Sequence, residues 1–183
     1  MVYLFLADGF EEVEALCPVD LLRRADIEVK TVGIGKKTAT GSHGITVECD
    51  MQDSEIDYGQ DFEMVILPGG MPGTVNLDKS EAVHKLLDIA EKEERLIGAI
   101  CAAPIIPGKR GMLRGKRAVC YPGYEEQLKG ADILYDEGAI RDGNIITGRA
   151  MGTSHEFSLM IIEALRGKEM RRLVEDSVLY RKG

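Results

Sequence analysis

The chain has 183 residues, a formal net charge of -8, 44% hydrophobic residues and 30% charged residues. That length suits one domain, read as residues 1–183, with enough apolar content to bury a core. The acidic balance excludes nucleic acid as a general partner, because phosphate binding needs a basic surface, and no apolar run is long enough to span a membrane. The one local basic stretch, Lys109, Arg110, Arg114, Lys116 and Arg117, reads as a solvated helix end and turn. The N-terminus, MVYLFLADGFEE, lacks the basic head and small-residue cleavage site of a signal peptide, so a cytoplasmic location is expected.

Strand-like and helix-like segments alternate along the chain, the pattern of a mostly parallel sheet with helices on both faces. Val2 to Leu6 is a continuous apolar run, as in a strand buried on both sides. Glu11 to Arg24 has helical periodicity, with Pro18 either kinking the helix or opening its regular part. Ile27 to Val32 is the next strand. Gly41, Gly44 and the alternation over Ile45 to Glu48 predict a hairpin. Met64 to Leu67 is a buried strand ended by Pro68-Gly69-Gly70. Ser80 is expected to cap a helix that runs to Glu93. Leu96 to Ile100 is a strand, followed by Cys101-Ala102-Ala103-Pro104. Later strands are expected at Ala118 to Cys120, Ile133 to Tyr135 and Asn144 to Thr147. A helix capped by Thr153 or Ser154 runs to Leu165, stops at Gly167, and is followed by a last helix over Lys168 to Ser177.

The cysteines Cys17, Cys49, Cys101 and Cys120 form no C-x-x-C pair, and their wide spacing argues against structural disulfides. The histidines His43, His84 and His155 show no metal-ligand spacing, so no metal is expected. There is no P-loop, and Gly33-Ile34-Gly35 lacks the third glycine of a dinucleotide fingerprint, so no cofactor is expected.

The chemistry concentrates around Cys101. A buried strand feeding directly into small residues and a helix forces a sharp turn, and the residue there projects from the carboxyl end of the sheet. N–H groups at a helix start would stabilise a thiolate at this nucleophile elbow. Gly69 and Gly70, at the end of another buried strand, can aim backbone amides at a developing oxyanion, as can Ala102. Of three glutamates after the first strand, Glu11 and Glu12 are expected to face water. Glu14 falls on the apolar side by helical phase. A carboxyl buried there would keep its proton and could serve as an acid and base.

DGFEEVEA, the Pro-Val-Asp-Leu-Leu-Arg-Arg-Ala run, ILPGGMPG, IGAICAAP and GTSHEFSLMIIEAL together resemble the ThiJ/PfpI superfamily. The nearest branch is that of the Parkinson-disease-associated protein deglycase and bacterial ThiJ-like proteins. The resemblance covers essentially the whole chain. It implies a flavodoxin-like three-layer sandwich, a homodimer, a conserved cysteine at Cys101, a protonated glutamate at Glu14 and amide donors at Gly70 and Ala102. It also implies cofactor-free glyoxalase, deglycase, chaperone or peroxide-sensing roles. Ala102 stands where the protease-like branch has histidine, which argues against a peptidase. Tyr121 stands where another branch has histidine before proline, so no Cys-His-acid triad is expected. Pro107-Gly108 stands where relatives carry Leu and Ala, and is expected to kink or end the helix after the cysteine.

Cys120, Tyr121 and Arg149 are candidate pocket residues, although surface salt bridges are the expected role of Arg24 and Arg149. Cys17 and Cys49 are read as packing residues, and His155 as packed or solvent-facing. The sequence thus favours an enzyme acting on α-oxoaldehydes or glycated proteins, with Cys101 as nucleophile and Glu14 as proton shuttle. The alternative is an oxidative-stress sensor or redox-regulated chaperone in which Cys101 oxidises to a sulfinate.

Overall fold

The structure is a computed structural model that describes residues 1–180. β1 (Val2–Leu6) is buried at all five positions and lies inside the sheet, between two other strands. Its alternation divides the core in two. Tyr3 and Phe5 point into one cluster; Val2, Leu4 and Leu6 point into the other. α1 (Glu12–Arg24) follows, then β2 (Val29–Gly33), the hairpin β3 (Thr38–Thr40) and β4 (Thr46–Glu48), and the short β5 (Met51–Gln52). Next come β6 (Met64–Leu67), α2 (Gly73–Asp78), α3 (Glu81–Lys92), β7 (Leu96–Ile100) and α4 (Ile105–Lys109). The chain continues through β8 (Arg117–Ala118), β9 (Asp132–Ile133), β10 (Ala139–Asp142), β11 (Ile145–Gly148) and α5 (Ser154–Ser177).

The seven-stranded sheet has the order β10-β11-β7-β6-β1-β2-β5. All its pairings are parallel except that of β10 with β11. The run β2-β1-β6-β7-β11 is the flavodoxin-like strand order. α1 and α5 cover one face, burying Ala15, Val19, Leu22, Phe157, Ile161 and Ile162 against β1, β6 and β11. α3 covers the other face through Val83, Leu86, Leu87 and Ala90, joined by Leu77 of α2 and Ile105 and Ile106 of α4. These are the three layers expected. No helix among the described residues is long and apolar enough to cross a membrane.

Most boundaries agree with the periodicity, and Ser80 caps α3 by accepting from the Val83 N–H at 3.4 Å. α1 continues through Pro18 to Arg24. Gly167 breaks helical geometry inside α5 with φ 85° and ψ 172°, which marks the expected stop. β8 and β9 are shorter than expected and form a separate parallel pair, leaving Cys120 beyond the strand. The edge strand β10 was not expected, because Ala-Ile-Arg-Asp alternates too little to stand out. The basic stretch is largely paired: Lys109 with Asp78 at 2.7 Å, Arg110 with Asp88, and Arg117 with Asp142.

One surface cluster ties the start of the chain to α5. Glu63 accepts from the N-terminal ammonium at 2.9 Å and from Arg166 at 2.6 and 3.1 Å. Arg166, and then the N-terminus, hold the Glu63 carboxyl down at about 2, against a reference of 4.5. A depressed carboxyl stabilises the fold above its unfolded value and loses that contribution as pH falls through the folded one. Glu63→Gln is therefore expected to lower the unfolding midpoint at neutral pH. The gap to the wild type should close as pH falls from about 4.5 towards 2, as followed by denaturant titration at each pH.

Candidate active site

In an open parallel sheet, ligands bind beyond the carboxyl ends of strands whose connections leave to opposite faces. β1 and β6 are such neighbours, since α1 packs on one face and α2 and α3 on the other. Three segments meet at this crevice: the start of α1 with Glu14, the Gly69-Gly70 loop after β6, and the turn after β7 with Cys101.

Cys101 adopts φ 64°, a left-handed conformation in a non-glycine residue. Such a conformation costs of order 1 kcal/mol and persists only where the surroundings fix it. Here its N–H donates to the Gly148 carbonyl of β11 at 2.9 Å, and its carbonyl accepts from the Tyr121 N–H at 2.8 Å. The half-buried sulfur lies beside the Glu14 carboxyl and is faced by the N–H groups of Ala102 and Gly70, which favour its ionised form. Glu14 is 1% exposed, and its Oε2 accepts from the Gly69 N–H at 3.0 Å.

Gly69 is needed for its size. A Cβ there would lie 2.5 Å from Glu14 Oε2, 2.7 Å from Cys101 Cβ and 2.9 Å from the Ile100 carbonyl oxygen. Gly69→Ala is expected to push both side chains out of register and to destabilise the fold by about 1–3 kcal/mol. Chemical denaturation would measure the loss, and alkylation kinetics of Cys101 would report the displaced sulfur.

The two acidic groups are coupled. Burial drives the Glu14 carboxyl up to about 7, with the Glu11 charge adding to it, while the Cys101 hydrogen bond and the Gly69 N–H pull it down. Burial also pushes the Cys101 thiol far up, helped by the charge and hydrogen bond of an ionised Glu14 and opposed by the Ala102 and Gly70 N–H groups. The Glu14 contributions have that sign only after Glu14 has ionised. While Glu14 keeps its proton it is a donor, and the repulsion is absent. The pair therefore gives up one proton far more readily than two.

A cavity of about 150 Å³ opens over the sulfur, lined by Cys101, Gly70, Met71, Ala102, Tyr121 and Tyr124. Tyr121 is thus a pocket residue, with its ring 6.4 Å from that of Tyr124. Cys120 is not part of the wall. It is 5% exposed and packs in the α3-side cluster, where burial raises its thiol to about 11. Arg149 does not line the cavity and forms no salt bridge among the described residues, whereas Arg24 pairs with Asp20 at 2.8 Å on the surface.

Other sequence expectations need correction. Gly69 does not aim its N–H at the sulfur, because Glu14 takes it. No helix begins at Cys101. Turns over residues 101–104 precede the five-residue α4, so the sulfur meets individual amides and not a helix end. Pro107 lies in the first turn of α4, where its missing N–H is tolerated, and α4 is indeed short. Gly108 lets α4 approach its neighbour, since a Cβ there would meet the Gln127 carbonyl at 2.8 Å and Leu128 Cα at 2.9 Å. Glu11 caps α1 through the Val13 N–H, but Glu12 does not face water. It is 4% exposed and accepts from the His43 N–H at 2.8 Å, with His43 Nδ1 3.0 Å from its other oxygen. Glu11, Glu12 and His43 thus lie within 4.8 Å of one another, a grouping that spacing along the chain hides. These groups pair with each other as an ion-pair cluster. Cys17 contacts Ser158 Oγ at 3.7 Å, and Cys49 is buried. His155 is exposed and stacks on Tyr180 at 5.8 Å.

The profile of the DJ-1/PfpI family matches residues 1–164. The Parkinson disease protein 7 homolog of Danio rerio is 35% identical over 181 residues, covering 97% of this chain and 96% of the relative. A deglycase of Pyrococcus abyssi is 31% identical over 170 residues, covering 90% and 99%. A glutathione-independent glyoxalase of Caenorhabditis elegans is 28% identical over 159 residues, covering 87% and 84%. Among solved structures, DJ-1beta of Drosophila melanogaster superposes with a TM-score of 0.93 at 35% identity, covering 99% of this chain and 98% of that one. With the profile and these relatives in agreement over nearly its full length, the chain belongs to the DJ-1/PfpI family.

Proposed function

We propose that this protein is a cysteine-dependent, cofactor-free enzyme of the glyoxalase or deglycase type, acting on α-oxoaldehydes or their adducts on proteins. The observation that carries the reading is a buried carboxyl and two backbone N–H groups converging on one half-buried sulfur. The N–H groups of Ala102 and Gly70 face the sulfur and favour its ionised form, and burial keeps the Glu14 carboxyl protonated; together they support the state in which Glu14 holds the shared proton and Cys101 is a thiolate.

The chemistry is balanced by water alone. The thiolate adds to the aldehyde carbon, and Glu14 delivers its proton to the new alkoxide, giving a hemithioacetal. Glu14 then removes the proton on that carbon, and the adjacent carbonyl carbon receives one, so that an enediol collapses to a 2-hydroxy thioester. Water cleaves the thioester, releasing a 2-hydroxy acid and restoring the thiol and carboxyl pair. The N–H groups of Gly70 and Ala102 hold the sulfur and the oxyanion that forms beside it. The cavity of about 150 Å³ over the sulfur suits a small aldehyde. The relatives named deglycase and glutathione-independent glyoxalase support the same reaction class.

The test is lactate formation from methylglyoxal without glutathione. Steady turnover is expected; a rate no higher than that of buffer would overturn the reading. A second reading rests on the same donors, which could also hold the oxygens of a Cys101 sulfinate in a peroxide sensor or chaperone. Mass spectrometry after mild peroxide separates Cys101 from the other thiols. A homodimer is also proposed, because Val13 and Leu16 of α1 and Ile45 of the adjacent hairpin expose apolar side chains.

A further inference from the structure

The hairpin between β3 and β4 is built around a carboxylate. Glu12 accepts from the N–H groups of His43 and Ile45, at 2.8 and 3.4 Å. A Cβ on Gly41 would collide with the Glu12 carboxylate. The Ser42 N–H donates to the Phe10 carbonyl at 2.7 Å, which fastens the hairpin tip to the start of α1. His43 Nδ1 therefore sits 3.0 Å from Glu12 Oε2 and 3.2 Å from Glu11 Oε2. The second of these carboxylates bears on the active site. The Glu11 N–H donates to the Gly69 carbonyl at 3.0 Å, while the N–H of the same Gly69 donates to Glu14. One residue thus links the Glu11 backbone to the Glu14 carboxyl.

The geometry points to His43 as a positioning residue for the reaction proposed above: its imidazolium, held between Glu11 and Glu12, offsets the negative charge facing Glu14 and so governs how readily the Glu14–Cys101 pair releases its proton. The inference rests on that pair being the reacting centre. The groups involved are few. Glu14 is faced by Cys101 from the turn after β7 and by Glu11 from its own helix; the β6 loop offers it only the Gly69 N–H. α5, packed along α1, presents Ser158 to Cys17 and no hydrogen bond to Glu14 among the described residues. His43 is faced by Glu11 and Glu12 of α1 and by the Ser42 hydroxyl of its own hairpin. In support, the Glu12 hydrogen bond and then the Glu11 charge favour the protonated form of the His43 ring.

The sign differs between the two partners. Removing the cation unmasks Glu11, and the pair should hold its proton to higher pH. Removing the Glu11 charge should do the reverse. The experiment is the pH profile of Cys101 carbamidomethylation by iodoacetamide, read by peptide mass spectrometry on the full chain. His43→Gln is expected to move the midpoint up by ~0.3–0.5 pH unit, a two- to threefold lower rate on the rising limb. Glu11→Gln is expected to move it down by a similar amount. His43→Lys, which keeps a cation, should restore the wild-type midpoint, and concentrated salt should shrink all these differences. A purely structural role would shift both single variants in one direction or neither, and either result overturns the inference while leaving the pair intact. An ordinary thiol profile in the wild type would remove the pair itself, and this role with it.

Discussion

Cys101→Ala is expected to reduce 2-hydroxy acid formation to the uncatalysed rate, a loss on the order of a thousandfold or more, because no other group at the site can form the covalent intermediate. The neighbouring thiols cannot substitute. Cys120 and Cys49 are both buried and do not line the cavity, and burial raises both thiols to about 11. Stability should not fall with activity. The left-handed backbone at residue 101, with φ 64°, is strained for any side chain and free for glycine. Cys101→Gly should thus be inactive and more stable than Cys101→Ala, by ~1 kcal/mol in denaturant titrations. If Cys101→Ala kept wild-type turnover, the enzyme reading would be lost whatever the stability data showed.

Glu14→Gln separates the two jobs of the carboxyl. The amide can still accept from Gly69 and donate to the sulfur, so Cys101 should remain reactive towards iodoacetamide. It cannot carry a proton, and kcat/KM for methylglyoxal should fall about 10²- to 10⁴-fold. Stability should move the other way. The native pair keeps a proton that an unfolded glutamate gives up, since its carboxyl is raised from 4.5 to about 7. Between those values the unfolded chain binds fewer protons, so stability falls as pH rises. The loss amounts to about 3 kcal/mol once pH exceeds 7. Glu14→Gln should recover part of it at neutral pH and none below about 4.5, which unfolding titrations at the two pH values would show. A variant as active as the wild type, or destabilised equally at both pH values, contradicts the proposed role.

What could be read from the chain was local. The apolar run Leu96–Ile100 followed by Cys101 and small residues specifies a buried strand and a tight turn. Helical phase places Glu14 on the Ala15, Val19 and Leu22 side of α1. What could not be read depended on partners far along the chain. Glu12 is buried because the hairpin tip, 31 residues later, wraps its carboxylate. The Gly69 N–H is taken by a residue 55 positions earlier. The need for Gly108 appears only when the turn over 125–128 packs against α4. Cys120 stands one residue before a pocket tyrosine, yet it is buried and does not line the cavity. Both residues lie past the end of β8, where no strand alternation tells which of two neighbours lines a cavity.

The account is tested most directly by titrating the Cys101 thiolate through its ultraviolet absorbance, as the difference between the wild type and Cys101→Ala. The first proton of a coupled pair leaves no later than its more acidic member would release it alone, and the carboxyl stands at about 7. With that proton coming from sulfur, the thiolate signal should rise with a midpoint at or below this value. A signal that stays flat through neutrality and appears only at or above the ordinary thiol range of about 8.5 would contradict the account.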